Sequence, residues 1–203
     1  MGRRTMTEAT KTYTEQQFVA DIQEAFASSK NPVEQAHRVA GHMRRILATG
    51  WPRSSDKLGE ANGMYVVHAD ADHGHPGLGF MLLAYRQGPQ RLKTPSPHDH
   101  GTCWVVYGVA SGSNEQTRYH WNFGEDPDQL PALETGKTNV QRSGDVDYFL
   151  PGEIHSTRGS TEEETIYVRV TSENLDKTWR HRYQVGGSRG WAFQSASTPP
   201  ADD

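Results

Sequence analysis

PSPHDHGTCWVVYGVASG, residues 95–112, holds two histidines one residue apart, a valine-rich run and a closing glycine. Alternate side chains of an extended strand point the same way, so His98 and His100 can present two imidazoles to one point inside a barrel. The pair alone is weak evidence, because ten histidines in 203 residues produce such spacings by chance. SGDVDYFLPGEIHSTRG, residues 143–159, changes the reading. Its Gly-Asp turn starts a strand, Pro151-Gly152 makes a tight turn, and His155 follows on the next strand. Three imidazoles from these segments form a facial set that leaves coordination positions open for a substrate and for dioxygen.

Outward from these segments, the period of the chain changes once. Phe18, Ile22 and Phe26 recur at a four-residue step after Thr14, which predicts an amphipathic helix with Thr14 and Gln17 as its capping box. Val33, Ala36, Val39, Ala40, Met43, Ile46 and Leu47 predict a second helix, with Asn31 as N-cap, Pro32 in the first turn and Gly50 as the stop. From Met64 onward come short β-like runs: MYVVHA, GFMLLAYR, TCWVVYGVAS, TRYHWNF, VDYFL and TIYVRV, with WRHRYQV as a last strand. Turns rich in Gly, Pro, Asp and Asn separate them, as in an all-β barrel or sandwich. Residues 1–12 read as a disordered N-terminus, 13–185 as a single domain with its helices within 14–49, and 186–203 as a tail ordered around Trp191 and Phe193.

Composition narrows the classes. The length fits one domain with a buried core. Hydrophobic content is only 33%, and five Trp, eight Tyr and six Phe argue against disorder throughout. A net charge of −4 offers no basic stripe, so nucleic acid is not an expected partner. No apolar run reaches the length of a membrane span, and the N-terminus has no apolar signal core. One cysteine, Cys103, rules out an intrachain disulfide framework and fits a reducing compartment, so the expectation is a cytoplasmic protein.

The two histidine segments resemble the paired signatures of the cupin superfamily. In the first signature a glutamate ligand follows the His-x-His by four or five residues; here Val105 stands in its place, while the closing glycine is present as Gly112. In the second, Gly144, Gly152 and His155 keep the spacing, the proline is displaced to Pro151, and Gly159 replaces the terminal Asn. The resemblance covers roughly 60–183. It implies a mainly β fold, a double-stranded β-helix or jelly-roll barrel preceded by two α-helices, so that residues 13–185 form one cupin domain.

A cupin with three histidines and no glutamate is similar to the thiol dioxygenases, the cysteine dioxygenase and mercaptopropionate dioxygenase group. HDHGT followed by a Trp and a valine-rich strand, then GDV and GEIH, matches the wording of that family. YVVHADADHGHPGLGFMLLAYRQGP is similar to its preceding strand pair and ENLDKTWRHRYQ to its closing segment. The chain is identified as a distant member. The resemblance implies Fe(II), with zinc, nickel and manganese as alternatives, held by His98, His100 and His155. It also implies a small thiol acid oxidised to a sulfinate by O2.

The departures from the family fall on the groups that orient substrate. Its Ser-x-His-x-Tyr triad follows the third ligand, and in TIYVRV those places are taken by Thr165, Tyr167 and Arg169. Val67 stands where the family's substrate-binding arginine sits, and Val105 where some members carry a cross-linked cysteine. The resemblance turns Thr165, Tyr167 and Arg169 inward, where Arg169 offers an always-charged fork to an anion and Tyr167 a hydrogen bond to oxygen or substrate. Alternation alone allows the opposite face.

Other candidates have plainer readings. Cys103 is a small buried hydrophobe. Trp104 and Tyr107 are packing residues, one of them able to wall a cavity. His120 is a structural histidine, and His68, His73 and His75 belong to an exposed hairpin loop. Arg86 and Arg158 read as surface ion pairs, with anion contact as the alternative. Asp99, alternating with the ligands, is expected to turn outward, with support of an imidazole as the alternative. The expected function is an Fe(II)-dependent dioxygenase for a small anionic substrate. The alternatives are a metal-dependent lyase or isomerase and a non-catalytic cupin that binds a small ligand. Pairing of barrel edges into a homodimer is compatible with all three.

Overall fold

The computed structural model describes residues 13–89, 96–126 and 128–194; the expected disordered residues 1–12 and the end of the expected tail, 195–203, lie outside the described residues. Two helices come first. α1, Glu15–Ser28, starts at a Thr14–Gln17 capping box, and α2, Pro32–Leu47, is capped by the Asn31 side chain with Pro32 in its first turn. Their apolar stripes, Phe18, Ile22 and Phe26 on α1 and Val39, Met43 and Ile46 on α2, are buried.

Ten strands follow: β1 Gly63–His75, β2 Gly79–Gln87, β3 Val105–Ser111, β4 Ser113–Asn122, β5 Ala132–Arg142, β6 Val146–Phe149, β7 His155–Gly159, β8 Thr165–Thr171, β9 Arg180–Tyr183 and β10 Gly190–Phe193. One antiparallel sheet has the order β1-β2-β8-β3-β6 and a second the order β5-β4-β7, with β9 paired to β10. Single bridges from His98 to His155 and to Arg182 link β7 to β9. The inner faces of the two sheets meet where His155 of β7 stacks on Phe149 of β6 at 3.8 Å. This is the double-stranded β-helix, mainly β with two helices, that the motifs imply.

The five-stranded sheet is covered on both faces, which explains why β2 and β3 read as nearly continuous apolar runs rather than alternating ones. On its outer face Phe80, Leu82, Trp104, Val106, Ile166, Val168 and Val170 pack against the helices. On its inner face Met81, Leu83, Tyr85, Val105, Tyr107, Val109 and Tyr167 line the barrel. Each large apolar side chain buried this way contributes about 1.5–3 kcal/mol. Trp104 also donates its indole N–H to Gln35 at 2.9 Å, tying α2 to the sheet.

Four expectations need correction. β1 runs through the segment read as a Gly/Asp hairpin loop, with a register shift between Asp70 and His75 that leaves the intervening residues bulged. β5 was not anticipated: it is an edge strand with only Leu133 and Gln141 buried, so it carries almost no apolar alternation. β9 is not the last strand: the order expected around Trp191 and Phe193 takes the form of β10, paired with β9. Finally, His98 and His100 do not lie on one strand. His98 makes isolated bridges and the chain turns at Gly101, at φ 61°. A Cβ there would collide with the Trp179 carbonyl oxygen, so this close approach requires glycine.

Candidate metal centre

His98, His100 and His155 converge. One ring nitrogen from each lies within 4.8 Å of the others, and no other such group of three occurs among the described residues. His100 and His155 are fully buried and His98 half-buried. The bridge between His98 and His155, with backbone N–H donation in both directions at 2.8 and 2.9 Å, fixes one side of the cluster.

The polar neighbours set which nitrogens face inward. His98 Nδ1 lies 3.0 Å from the Ser96 carbonyl, and His155 Nδ1 lies 3.1 Å from Gln116 Oε1. Carbonyl oxygens only accept, so both Nδ1 atoms donate and both Nε2 atoms keep a lone pair. His155 Nε2 and His100 Nδ1 are buried without any partner. Burial, followed by the charges of Arg180, Arg169 and Arg182, holds His98 down at about 4. Burial and then the neighbouring imidazoles hold His100 well below the usual histidine range, and burial followed by His98 does the same to His155. Neutral rings with orphaned buried lone pairs are a donor set that fits a divalent transition metal.

Asp99, expected to turn outward, is instead buried. Its carboxylate accepts from the Gly101 N–H at 2.9 Å, the His181 N–H at 2.9 Å and the Tyr183 hydroxyl at 2.6 Å. Departure from strand geometry at His98 frees Asp99 to anchor the histidine loop to β9.

The three triad-position residues meet different fates. Tyr167 and Arg169 face the barrel interior. Arg169 pairs across β3 with Tyr107, its guanidinium lies 5.1 Å from the centre of the Tyr85 ring, and its Nε is buried without a partner. No carboxylate forms an ion pair with it among the described residues. Tyr107, read as a packing residue, is the cross-strand partner of Arg169, and its hydroxyl stands 3.4 Å from His100 Nε2. The Tyr167 ring stacks on Tyr85 at 4.5 Å, but its hydroxyl accepts from Gln87, away from the histidines. Thr165 is not brought to the cluster. Four residues from Arg169 on an extended strand, it stands about 13 Å further along, and its hydroxyl donates to the Ser113 carbonyl at 2.7 Å.

Val67 packs in the helix-side core, so that position presents nothing to the chamber. Cys103 is buried, its thiol pushed up to about 12 by burial and donated to the Trp104 carbonyl. Arg86 pairs with Glu164 and Arg158 with Glu115. His120 is exposed near Glu134, His68 and His73 flank Asp70, and His75 is exposed. Gln116, Tyr85, Arg180 and Arg182 border the site without any signal in their local sequence. Only their register against His98, His155 and β8 puts them there.

No family model matches the chain, and no curated protein matches it by sequence. Among solved structures it is similar to a conserved protein with a double-stranded beta-helix domain from Klebsiella pneumoniae. That match has 17% identity and a TM-score of 0.42 over 64% of this chain and 92% of the other. A cupin protein from Bacteroides fragilis matches at 16% identity and a TM-score of 0.34, over 47% and 66% of the two chains. A recombinant oxalate oxidase in complex with glycolate matches at 19% identity and a TM-score of 0.39, over 59% of each. The chain thus spans about three fifths of the oxidase and slightly under two thirds of the Bacteroides protein.

Proposed function

We propose that the protein is a mononuclear non-haem Fe(II) dioxygenase of the thiol dioxygenase type, oxidising a small anionic substrate with O2 at His98, His100 and His155. One observation carries the reading: among the described residues the barrel interior brings together three neutral imidazoles, no carboxylate in their cluster, and an Arg169 guanidinium without a carboxylate partner. His98, His100 and His155 would hold the iron, which would supply the redox chemistry that lets dioxygen react with a closed-shell substrate.

The chain's own contribution is orientation. Arg169 presents a planar fork to the acid group of the substrate and so directs the other end toward the imidazoles. Tyr107 sits between Arg169 and His100. Burial raises its hydroxyl above the usual range, so it keeps its proton and donates a hydrogen bond into the chamber rather than serving as a base. The Tyr85 and Tyr167 rings stack on each other beside the guanidinium, which lies 5.1 Å from the Tyr85 ring centre. For a thiol acid the balance is R–SH + O2 → R–SO2H, with both oxygen atoms ending on sulfur.

The test is oxygen uptake by protein loaded anaerobically with Fe(II), offered cysteine, mercaptopropionate, cysteamine and acids without a thiol. His155→Ala runs beside it, with iron content measured in both. Uptake that follows one thiol acid and disappears in the variant supports the proposal. No uptake with any of them, in protein that retains its iron, overturns the thiol reading and favours a metal-dependent lyase or isomerase, or a small-ligand-binding barrel.

A further inference from the structure

We infer that the protein carries a second binding site, for a small primary amine with an apolar body, on the helix side of the five-stranded sheet. A cavity of about 270 Å³ opens there between α1, the β1–β2 connection and the segment after β8. Glu173, only 1% exposed, is among the residues that line it. Glu173 Oε2 accepts from the Thr102 and Thr178 hydroxyls at 3.0 and 2.8 Å, whereas Oε1 is buried and has no partner. An orphaned carboxylate oxygen is among the most costly groups to leave unpaired, and it calls for a donor from whatever fills the cavity.

The remaining walls define the rest of the ligand. Phe26 and Trp104, both buried and stacked at 5.5 Å, line the cavity with aromatic surface that suits an apolar body. Lys30, Pro32, His75, Pro76 and Pro151 are exposed residues at its mouth. A carboxylate in the lining disfavours an anion, and an ammonium there forms a charge-assisted hydrogen bond, stronger than the bond from a neutral hydroxyl. The volume lies below the range of drug-sized pockets, which limits the occupant to a small molecule. A metal ion does not suit the cavity, since among the described residues Glu173 belongs to no group of three convergent ligands.

Titration calorimetry with phenethylamine and its neutral counterpart 2-phenylethanol tests the inference. The protein used is the full chain, and His155→Ala is titrated as well so that coordination at the histidine cluster is separated from binding here. Phenethylamine is expected to bind at least roughly tenfold more tightly than the alcohol, equally well in His155→Ala. Glu173→Gln removes that preference. His75→Trp, which narrows the exposed mouth without touching the core, weakens both ligands and keeps the test open should Glu173→Gln fail to fold. Equal affinity for amine and alcohol overturns the inference. So does an absence of saturable binding below about 10 mM, or loss of binding in His155→Ala.

Discussion

Gln116 Oε1 lies 3.1 Å from His155 Nδ1 and at the same time accepts the Thr157 hydroxyl at 2.9 Å. The second bond holds the amide oxygen in place, so the first fixes the His155 tautomer and aims its Nε2 into the chamber. Gln116→Leu removes that constraint. Chelator competition is expected to show metal affinity lowered by about 10- to 100-fold, with the far-ultraviolet circular dichroism unchanged. Unaltered affinity would mean that the backbone bridge alone orients the ring.

Arg169 separates function from stability. Its charge sits among Tyr85, Tyr107 and Tyr167 with a buried, unpartnered Nε, so the fold gains little from it. Replacing it with an apolar chain of similar length, Arg169→Met, is expected to leave the melting temperature unchanged or higher, as for other enclosed charges replaced by hydrophobes. The same change is expected to raise KM for an anionic substrate by roughly 100-fold, the worth of a charge-assisted hydrogen bond pair. A variant that melts much earlier would assign the residue to structure instead.

The histidine cluster was legible because its members lie in two short segments bounded by glycines whose turns the fold requires. Gly112, at φ 71°, packs against the Glu164 carbonyl and closes the first segment. The helices were legible from their period and caps. The inner face of β8 was not decided by alternation, because both faces are covered: Ile166, Val168 and Val170 meet the helices while Tyr167 and Arg169 meet the chamber. Asp99 was misread because strand alternation was applied to residues held by isolated bridges. β5 escaped notice because an edge strand with one sheet neighbour needs few apolar residues.

Thr165 shares a strand face with Arg169 but not its neighbourhood. Its hydroxyl serves the Ser113 carbonyl, joining the start of β8 to the start of β4. Thr165→Val is therefore expected to cost about 1 kcal/mol of stability and to leave kcat and KM within about twofold. A large fall in kcat without loss of stability would restore the residue to the site.

Asp99 holds the loop between His98 and His100 by four hydrogen bonds, three of them to β9 residues. Asp99→Ala leaves buried N–H and O–H donors unpaired and is expected to cost about 2–4 kcal/mol, seen as an earlier urea midpoint, together with weaker metal retention. Tyr183→Phe removes one bond and is expected to cost about 1 kcal/mol. If Asp99→Ala retains metal as the parent does, the loop owes its shape to Gly101 and the bridges.

Asp70 makes stability depend on pH away from the histidine cluster. Burial is the largest single influence and raises a carboxyl, but the Gln23 amide at 2.7 Å and the His73 and Asp72 backbone N–H groups, both at 2.9 Å, together outweigh it and hold Asp70 well below the usual range. The rings of His68 and His73, at 3.4 and 3.2 Å, face the same carboxylate. In the unfolded chain an aspartate titrates near about 4. A folded value below the unfolded one means that the unfolded chain takes up a proton first, so this contribution is complete above about pH 5 and fades as pH falls through 4 and below. Urea midpoints measured from pH 7 to pH 3 are therefore expected to be level at first and then to drop. Asp70→Asn, which cannot ionise, is expected to be less stable at pH 7 and to lose less on acidification, because α1 is tethered to β1 through that charge. Parallel acid limbs in the parent and the variant would show that other carboxylates govern the transition.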